Sequence, residues 1–212
     1  MHYGFIGLGN LGSKLATRLA ENGFTVTGFD LNMRVSDSLE HAGVTFAASP
    51  EELAGSVDHV ITCLPSPDAS SAVLDQILGA MRPDANVIEM STIGRDDAIR
   101  FAGLAEGAGV GFLELPVTGG VHLAAVGELT LLAGGPASLM TLHEPALNVM
   151  GNEVIHMGPV GSASLIKVIT NMLALVHLQV CGEALMSGIA GRTGFGDELE
   201  SHCGVFREFF CA

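Results

Sequence analysis

The most constraining feature of the sequence is a glycine-rich stretch near its start, GFIGLGNLGSKL, in which Gly7, Gly9 and Gly12 follow an apolar run and precede a helical pattern. Residues 2–6 predict a buried strand, and residues 11–22 predict a helix. A G-x-G-x-x-G turn between a strand and a helix lets the backbone and the helix N-terminus hold phosphate groups. The chain is therefore predicted to begin with a βαβ unit, although the same glycines could form a purely structural turn.

An acidic residue completes the pattern, because Asp30 closes the second predicted strand 18 residues after Gly12. A carboxylate at this place accepts hydrogen bonds from a ribose 2′-hydroxyl and repels a 2′-phosphate. We therefore predict that the turn binds NAD, with Arg34 nearby as a group that could accommodate the extra phosphate of NADP. The predicted cofactor-binding residues here are Gly7, Leu8, Gly9, Asn10, Leu11, Gly12 and Asp30.

Strand and helix patterns alternate through most of the chain. Further strands are predicted at residues 24–29, 57–64, 85–90, 111–115, 128–134 and 153–157. Near-continuous apolar strands separated by helices are typical of a parallel sheet covered on both faces. We predict an α/β fold, a Rossmann-type doubly wound parallel sheet followed by a long helix. The predicted domains are an NAD-binding domain at 1–157 and a helical domain at 158–212.

Composition argues against several partners. A formal net charge of -14, with only nine lysines and arginines, argues against nucleic acid. Residues 168–182 are uncharged, but a membrane span needs about 20 apolar residues, so we expect a buried helix and no membrane. Four cysteines without a C-x-x-C pair, and no expected secretory segment before the first strand, indicate the cytoplasm. The histidine spacings predict no metal site.

One lysine, Lys167, lies in a long apolar helix predicted from Ser162 to about Gly191, with Asn171 four residues later. Two explanations fit this spacing. Lys167 either extends its amine to solvent near the start of the helix, or it is a functional group whose pKa is lowered by burial. The apolar faces of the helix need a covering partner, so we predict a homodimer or tetramer through residues 162–192.

Four segments together resemble the β-hydroxyacid dehydrogenase family, whose members include 3-hydroxyisobutyrate dehydrogenase and tartronate semialdehyde reductase. The segments are GFIGLGNLG (4–12), CLPSPD (63–68) with EMSTIG (89–94), ELPVTGGVHLAAVGELTLLAGG (114–135) and GSASLIKVITNML (161–173). The resemblance covers residues 1–198, and its last two segments separate this family from other Rossmann proteins.

The resemblance implies roles for individual residues. Lys167 matches the catalytic lysine of the family and Asn171 its hydrogen-bonding partner, and both would contact substrate. Three residues would line the cofactor on its nicotinamide side: Leu64, Pro65 and Thr92. Three more would present a hydroxyl and backbone N–H groups to a substrate carboxylate: Thr118, Gly119 and Gly120. The family usually has serine at the position of Thr118, a change that keeps the hydroxyl.

Compared with this family, the chain stops before a complete all-helical C-terminal domain and has no counterpart of a second lysine near the cofactor, so we expect a C-terminally truncated member. The resemblance implies an NAD-dependent oxidoreductase that interconverts a small 3-hydroxy acid and its semialdehyde or oxo acid. Two alternatives stay open: a catalytically silent dinucleotide-binding protein, and an enzyme similar to the imine reductases.

Overall fold

The computed structural model describes residues 1–32 and 39–190, with side chains as far as Met186. Its strands are β1 His2–Ile6, β2 Thr25–Phe29, β3 Thr45–Phe46, β4 His59–Thr62, β5 Asn86–Glu89, β6 Gly111–Glu114, β7 Val117–Thr118, β8 Leu129–Gly134 and β9 Gly151–Gly158. Its helices are α1 Gly12–Glu21, α2 Pro50–Ser56, α3 Pro67–Ile77, α4 Arg95–Gly107, α5 Val121–Val126, α6 Ala137–Met150 and α7 Ser162–Ala190. Arg34 lies outside the described residues.

The strands form a sheet in the order β3-β2-β1-β4-β5-β6-β8-β7, with β9 paired to β8. From β3 to β6 all neighbours are parallel, so the carboxyl ends of these strands lie at one edge. The order reverses between β1 and β4, which is the place where doubly wound sheets bind ligands. The predicted Rossmann-type fold is confirmed.

Each face of the sheet has its own apolar core, because successive side chains of a strand point to opposite faces. Ile61 packs in one cluster with residues of α1 and α6, whereas its neighbour Val60 packs in the other with residues of α2, α3 and α4. Both side chains are fully buried. This explains why the strands are apolar along their whole length: helices cover both faces.

Serine caps and prolines start two of the helices at the carboxyl edge. Ser49 accepts a hydrogen bond of 3.2 Å from the backbone N–H of Glu52, and Pro50 occupies the first turn of α2. Ser66 does the same for Ala69 at 3.2 Å, at the start of α3. Such caps stabilise a helix start by about 1 kcal/mol each. These caps direct the chain away from the sheet edge shortly after β3 and shortly after β4.

The far end of the sheet differs from the all-parallel arrangement predicted. β8 runs antiparallel to β6, which it pairs through Glu114 and Gly134, and antiparallel to β7. The only helix described between β6 and β8 is the six-residue α5. A parallel return needs a crossover of a dozen or more residues, usually a helix packed on a sheet face. Here β7 keeps the direction of β6, and the chain turns back between β7 and β8, in the segment that contains α5.

The chain divides into two compact units, Met1–Val168 and Ile169–Ala212. The first contains the sheet and the start of α7; the described part of the second is the rest of that helix. The predicted boundary after residue 157 stays a prediction.

Much of the long helix is exposed within the single chain, so the expectation that a second domain or another subunit buries it stays a prediction. Leu175 is 67% exposed and Leu178 is 71% exposed, and the neighbouring His177 is exposed as well. Among the described residues, Ser162–Met186 is one helix long and apolar enough to cross a membrane, by length and composition only. A pattern of apolar residues predicts that a helix face is covered but does not identify what covers it.

Candidate functional site

The glycine turn between β1 and α1 has the geometry of a phosphate cradle. Gly7 has φ of 93° and donates its N–H to the Phe29 carbonyl at 3.0 Å, while a Cβ added to it would overlap the Cys63 carbonyl oxygen. A Cβ on Gly12 would overlap the Gly7 carbonyl oxygen. A Cβ on Gly9 would meet no atom within 4 Å. The first and third glycines are therefore required by packing, and the second faces open space where a ligand backbone could approach.

The remaining turn residues lie around that open space. Gly9 and Asn10 are exposed, Leu11 is half-buried and Leu8 is buried. The N-terminus of α1, directed at the turn, adds the positive end of the helix dipole. These residues fit the pyrophosphate of a dinucleotide.

Asp30 closes the cradle on the side of β2. Its Oδ2 accepts a hydrogen bond from the Leu8 backbone N–H, and its Oδ1 accepts one from the Asn32 backbone N–H, both at 2.7 Å. The carboxylate is half-buried and so retains access to solvent. Each carboxylate oxygen has two lone pairs, so Asp30 can hold the turn and still accept a hydrogen bond from a ribose hydroxyl.

The predicted nicotinamide side follows β4 and β5. Leu64 is half-buried, whereas Pro65 and Thr92 are exposed. The Leu64 N–H donates to the Ser91 hydroxyl at 2.8 Å, which ties the two loops together. Leu64 also meets the cradle, since a Cβ on Gly7 would lie 3.0 Å from its Cδ2. The structure thus brings the predicted cradle and nicotinamide-side loops into contact.

Sequence analysis overlooked Glu89, the buried residue beneath these loops. Its Oε1 accepts a 2.8 Å hydrogen bond from the Ser91 N–H, and among the described residues its Oε2 has no hydrogen-bond partner. Burial raises the pKa of Glu89, while its hydrogen bonding with Ser91 acts in the opposite direction. Burial and the nearby Glu89 carboxyl together raise the pKa of the Cys63 thiol to about 12. An acidic residue that ends a buried strand was the available signal.

The predicted carboxylate-binding segment lies exposed after β6. Thr118, Gly119 and Gly120 are all exposed, and the two glycines have φ of 126° and 81°. These angles are ones that only glycine adopts readily. They give the segment a sharp turn before α5, with the Thr118 hydroxyl and two backbone N–H groups on accessible surface.

Lys167 lies in the second turn of α7 and is half-buried. Burial lowers the pKa of its amine. This direction suits a group that exchanges a proton near neutral pH, because an ordinary lysine with a pKa of about 10.4 stays protonated there. Asn171 follows four residues later in α7, in the second compact unit. Its predicted role stays a prediction.

A second buried carboxylate, Glu114, holds the start of α7 and was also overlooked in the sequence. Oε1 accepts from the backbone N–H groups of Gly161 and Ala163, at 2.7 and 2.9 Å. Oε2 accepts from the Ser164 N–H at 3.3 Å and from the Ser164 hydroxyl at 2.5 Å. Glu114 is the last residue of β6, so this contact joins the helix that carries Lys167 to the carboxyl edge of the sheet.

Within the described residues, no group of three or more histidine, cysteine or acidic side chains could hold a metal ion. His202, Cys203 and Cys211 lie outside them.

Comparison with known proteins agrees with this geometry. Residues 2–158 match the family described as the NAD binding domain of 6-phosphogluconate dehydrogenase. The chain belongs to this family. Because the match covers β1 to β9, the glycine turn and Asp30 lie within the segment that matches this NAD-binding family.

Relatives of this NAD-binding family confirm the resemblance to β-hydroxyacid dehydrogenases. The NAD-dependent L-serine dehydrogenase of Pseudomonas aeruginosa is 34% identical over 88% of this chain and 63% of its own length. The mitochondrial 3-hydroxyisobutyrate dehydrogenase of Rattus norvegicus is 34% identical over 92% of this chain and 59% of its own length. The chain thus spans about three fifths of the length of these relatives.

A solved structure gives the same result for the fold. Mycobacterium tuberculosis 3-hydroxyisobutyrate dehydrogenase with L-serine superposes with a TM-score of 0.85 at 32% identity, covering 91% of this chain and 67% of that one.

Proposed function

We propose that this chain is an NAD-dependent oxidoreductase that interconverts a small 3-hydroxy acid and its semialdehyde or oxo acid, with Lys167 as acid and base. The observation that carries the proposal is a half-buried lysine with a lowered pKa, on a helix anchored to the carboxyl edge of an NAD-binding sheet. A group that must gain and lose a proton during turnover works best when its pKa lies near the working pH.

The substrate class is inferred from what the relatives' names share. Serine and 3-hydroxyisobutyrate, named in the relatives described above, both carry a primary alcohol on the carbon next to the one that bears the carboxylate. They differ only in an amino or a methyl group on the carbon that bears the carboxylate. We infer that this chain takes an acid with the same hydroxymethyl-carboxylate skeleton.

In this proposal the residues divide the work between binding and proton transfer. Thr118, Gly119 and Gly120 would hold the carboxylate through one hydroxyl and two N–H groups, which places the alcohol carbon toward the predicted nicotinamide side. NAD⁺, when bound by the glycine turn and Asp30, supplies the acceptor for hydride from that carbon. Lys167 removes the hydroxyl proton, so the alcohol becomes a carbonyl. In reduction the protonated amine returns the proton.

The direct test is NADH formation by the purified chain with a panel of 3-hydroxy acids that includes L-serine and 3-hydroxyisobutyrate. Lys167→Ala should abolish turnover while NADH binding persists. The chain has one other lysine, the exposed Lys14 on α1, so Lys14→Ala is a matched control and should keep full activity. Binding without turnover of any acid would favour a silent dinucleotide-binding protein. NADPH-dependent reduction of a cyclic imine would favour an imine reductase.

We also propose that the chain assembles as a homodimer or tetramer through residues 162–192 and works in the cytoplasm, with neither nucleic acid nor membrane as a partner. Met172, Leu175 and Leu178 are each more than half exposed, and covering such a surface is favourable by about 25 cal/mol per Å². Light scattering after size-exclusion chromatography should show at least a dimer. A monomer that sediments with liposomes would contradict this assembly.

A further inference from the structure

The inference concerns Glu114 and its contact with the first turn of α7. The side chain is completely buried, and its two oxygens receive four hydrogen bonds from three residues, Gly161, Ala163 and Ser164. The first N–H groups of a helix have no partner inside the helix, so they need an acceptor from elsewhere. One carboxylate supplies that acceptor for two of them, and its negative charge complements the positive end of the helix dipole.

The residues packed around Glu114 leave room for its carboxylate but not for a larger group. A Cβ on Gly134, which pairs with Glu114 in the sheet, would overlap the Glu114 Oε1 atom. Gly161, with φ of 94°, brings its N–H to the same oxygen, and a Cβ there would lie 3.0 Å from Arg95 Cγ. The start of α7 is therefore fixed by close packing around the Glu114 side chain, with Gly134 on one side of it and Gly161 on the other.

Glu114 also connects two parts of the proposed site. Lys167 lies three residues beyond Ser164, about 4.5 Å along the helix axis. In the other direction, Thr118 follows Glu114 by four residues at the end of β7. A shift of the carboxylate would therefore change the position of the amine relative to the segment proposed to hold the substrate, and errors of about 1 Å in such positions can cost 100-fold in rate.

We propose that Glu114 is a positioning residue: it holds the first turn of α7 against the carboxyl edge of the sheet and thereby fixes Lys167 relative to the substrate. It does not touch substrate or cofactor in this role. The inference rests on the proposed function for its kinetic consequence, and on the structure alone for its effect on the lysine.

The first test does not depend on turnover. Because the chain has two lysines, isotope labelling of lysine gives two side-chain NMR signals, with Lys14 as an internal reference. Glu114→Gln removes the charge and leaves the Ser164 N–H facing an amide donor. We expect the chemical shift and the titration midpoint of the Lys167 signal both to change in Glu114→Gln, because the carboxylate no longer holds the start of α7 and the burial that lowers the pKa of the amine changes with it. The Lys14 signal should not move.

The second test measures kinetics with whichever acid the wild type turns over. Glu114→Gln should lower kcat about 10-fold to 100-fold with less than a threefold change in KM, and NADH binding should persist because the glycine turn lies on other strands. Glu153→Gln, the same change at an exposed site on β9, should leave both constants unchanged. If Glu114→Gln does not fold, Ser164→Ala removes one hydrogen bond without the charge and should lower kcat about threefold.

An unchanged Lys167 titration together with an unchanged kcat in Glu114→Gln would overturn the inference. A lower melting temperature with normal kcat per folded molecule would also overturn it, since that result indicates a purely structural carboxylate. Failure of the proposed function can be told apart from failure of this inference. If the wild type turns over no acid, the Lys167 signals of Glu114→Gln and the wild type should still differ.

Discussion

Oδ2 of Asp30 accepts a 2.7 Å hydrogen bond from the backbone N–H of Leu8. The carboxylate proposed to recognise the ribose thus also holds the turn proposed to bind the pyrophosphate. Asp30→Asn would keep the size of the side chain but leave one of its two backbone donors facing an amide. We expect NADH affinity to fall about tenfold, because a lost hydrogen bond to a charged group costs about 1.5 kcal/mol.

Titration of NADH fluorescence measures this loss of affinity. The preference for NADH over NADPH should also be smaller in Asp30→Asn than in the wild type. Asp75→Asn, at an exposed position on α3, is the matched control. Equal NADH affinity in both variants would show that Asp30 does not contact the ribose.

The glycines of the turn should separate binding from stability. Gly12→Ala places a methyl group against the Gly7 carbonyl, so we expect it to reduce the free energy of unfolding by about 2–3 kcal/mol. Gly9→Ala meets no protein atom, so it should leave stability unchanged and weaken NADH binding at least tenfold. Urea unfolding followed by circular dichroism, beside NADH titration, distinguishes the two effects.

Gly103→Ala, within α4, also meets no atom within 4 Å and should affect neither property adversely. Normal cofactor binding by Gly9→Ala would contradict the proposed path of the pyrophosphate.

The proposed role of Lys167 predicts opposite pH dependences for the two directions of reaction. Below the pKa of the amine, kcat/KM for oxidation should rise about tenfold per pH unit, because only the neutral amine accepts a proton. Reduction needs the protonated amine and should decline above that pKa. Since burial lowers the pKa of Lys167, both changes should occur at lower pH than for an exposed lysine.

Lys167→Arg keeps the positive charge but cannot deprotonate in this range. It should therefore abolish oxidation without loss of NADH binding. A pH profile in Lys167→Arg that matches the wild type would assign the titration to another group.

A buried histidine outside the candidate site, His143, predicts how stability changes with pH. His143 is fully buried in α6, and its Nδ1 lies 3.0 Å from the Tyr3 hydroxyl. Burial, and to a lesser extent the charge of His59, lowers the pKa of His143 to about 4. His143 therefore becomes protonated at a lower pH in the folded state than in the unfolded state, where the pKa of histidine is about 6.5.

The contribution of His143 to the free energy of unfolding is fully present above pH 6.5 and is lost as the pH falls toward 4. Between pH 7.5 and pH 5 the free energy of unfolding should fall by about 2 kcal/mol through this group. His143→Gln keeps a polar partner for Tyr3 but does not titrate, so it should lose about 2 kcal/mol less over the same range. Equal losses in wild type and variant would exclude His143 as the cause.

Much of this fold follows from local patterns. The strand before the glycine turn, the helix after it and Asp30 at the end of β2 are all predictable, because period and turn chemistry act over a few residues. The reversed direction of β8 is not, since an apolar strand has the same pattern whether its neighbour is parallel or antiparallel.

The residues proposed to meet ligands come from local sequence patterns, whereas contacts between distant parts of the chain were not predictable. The pattern around Lys167 shows a polar residue in an apolar helix. By contrast, the sequence does not show that Glu114 bonds Ser164, which lies 50 residues away. The same limit applies to Tyr3 and His143, whose contact joins the first strand to α6. Apolar residues beyond Lys167 predict that this helix is covered but do not identify what covers it, and Leu175 and Leu178 are exposed within the single chain.

The tight fit between Glu114 and Gly134 has a consequence for how this protein can vary over time. Any side chain at position 134 would overlap the carboxylate that holds α7, so replacement of this glycine requires a shorter residue at position 114. The two positions are 20 residues apart in the chain but should be inherited as one unit. A lineage that has changed one of them without the other has released the helix that carries the lysine.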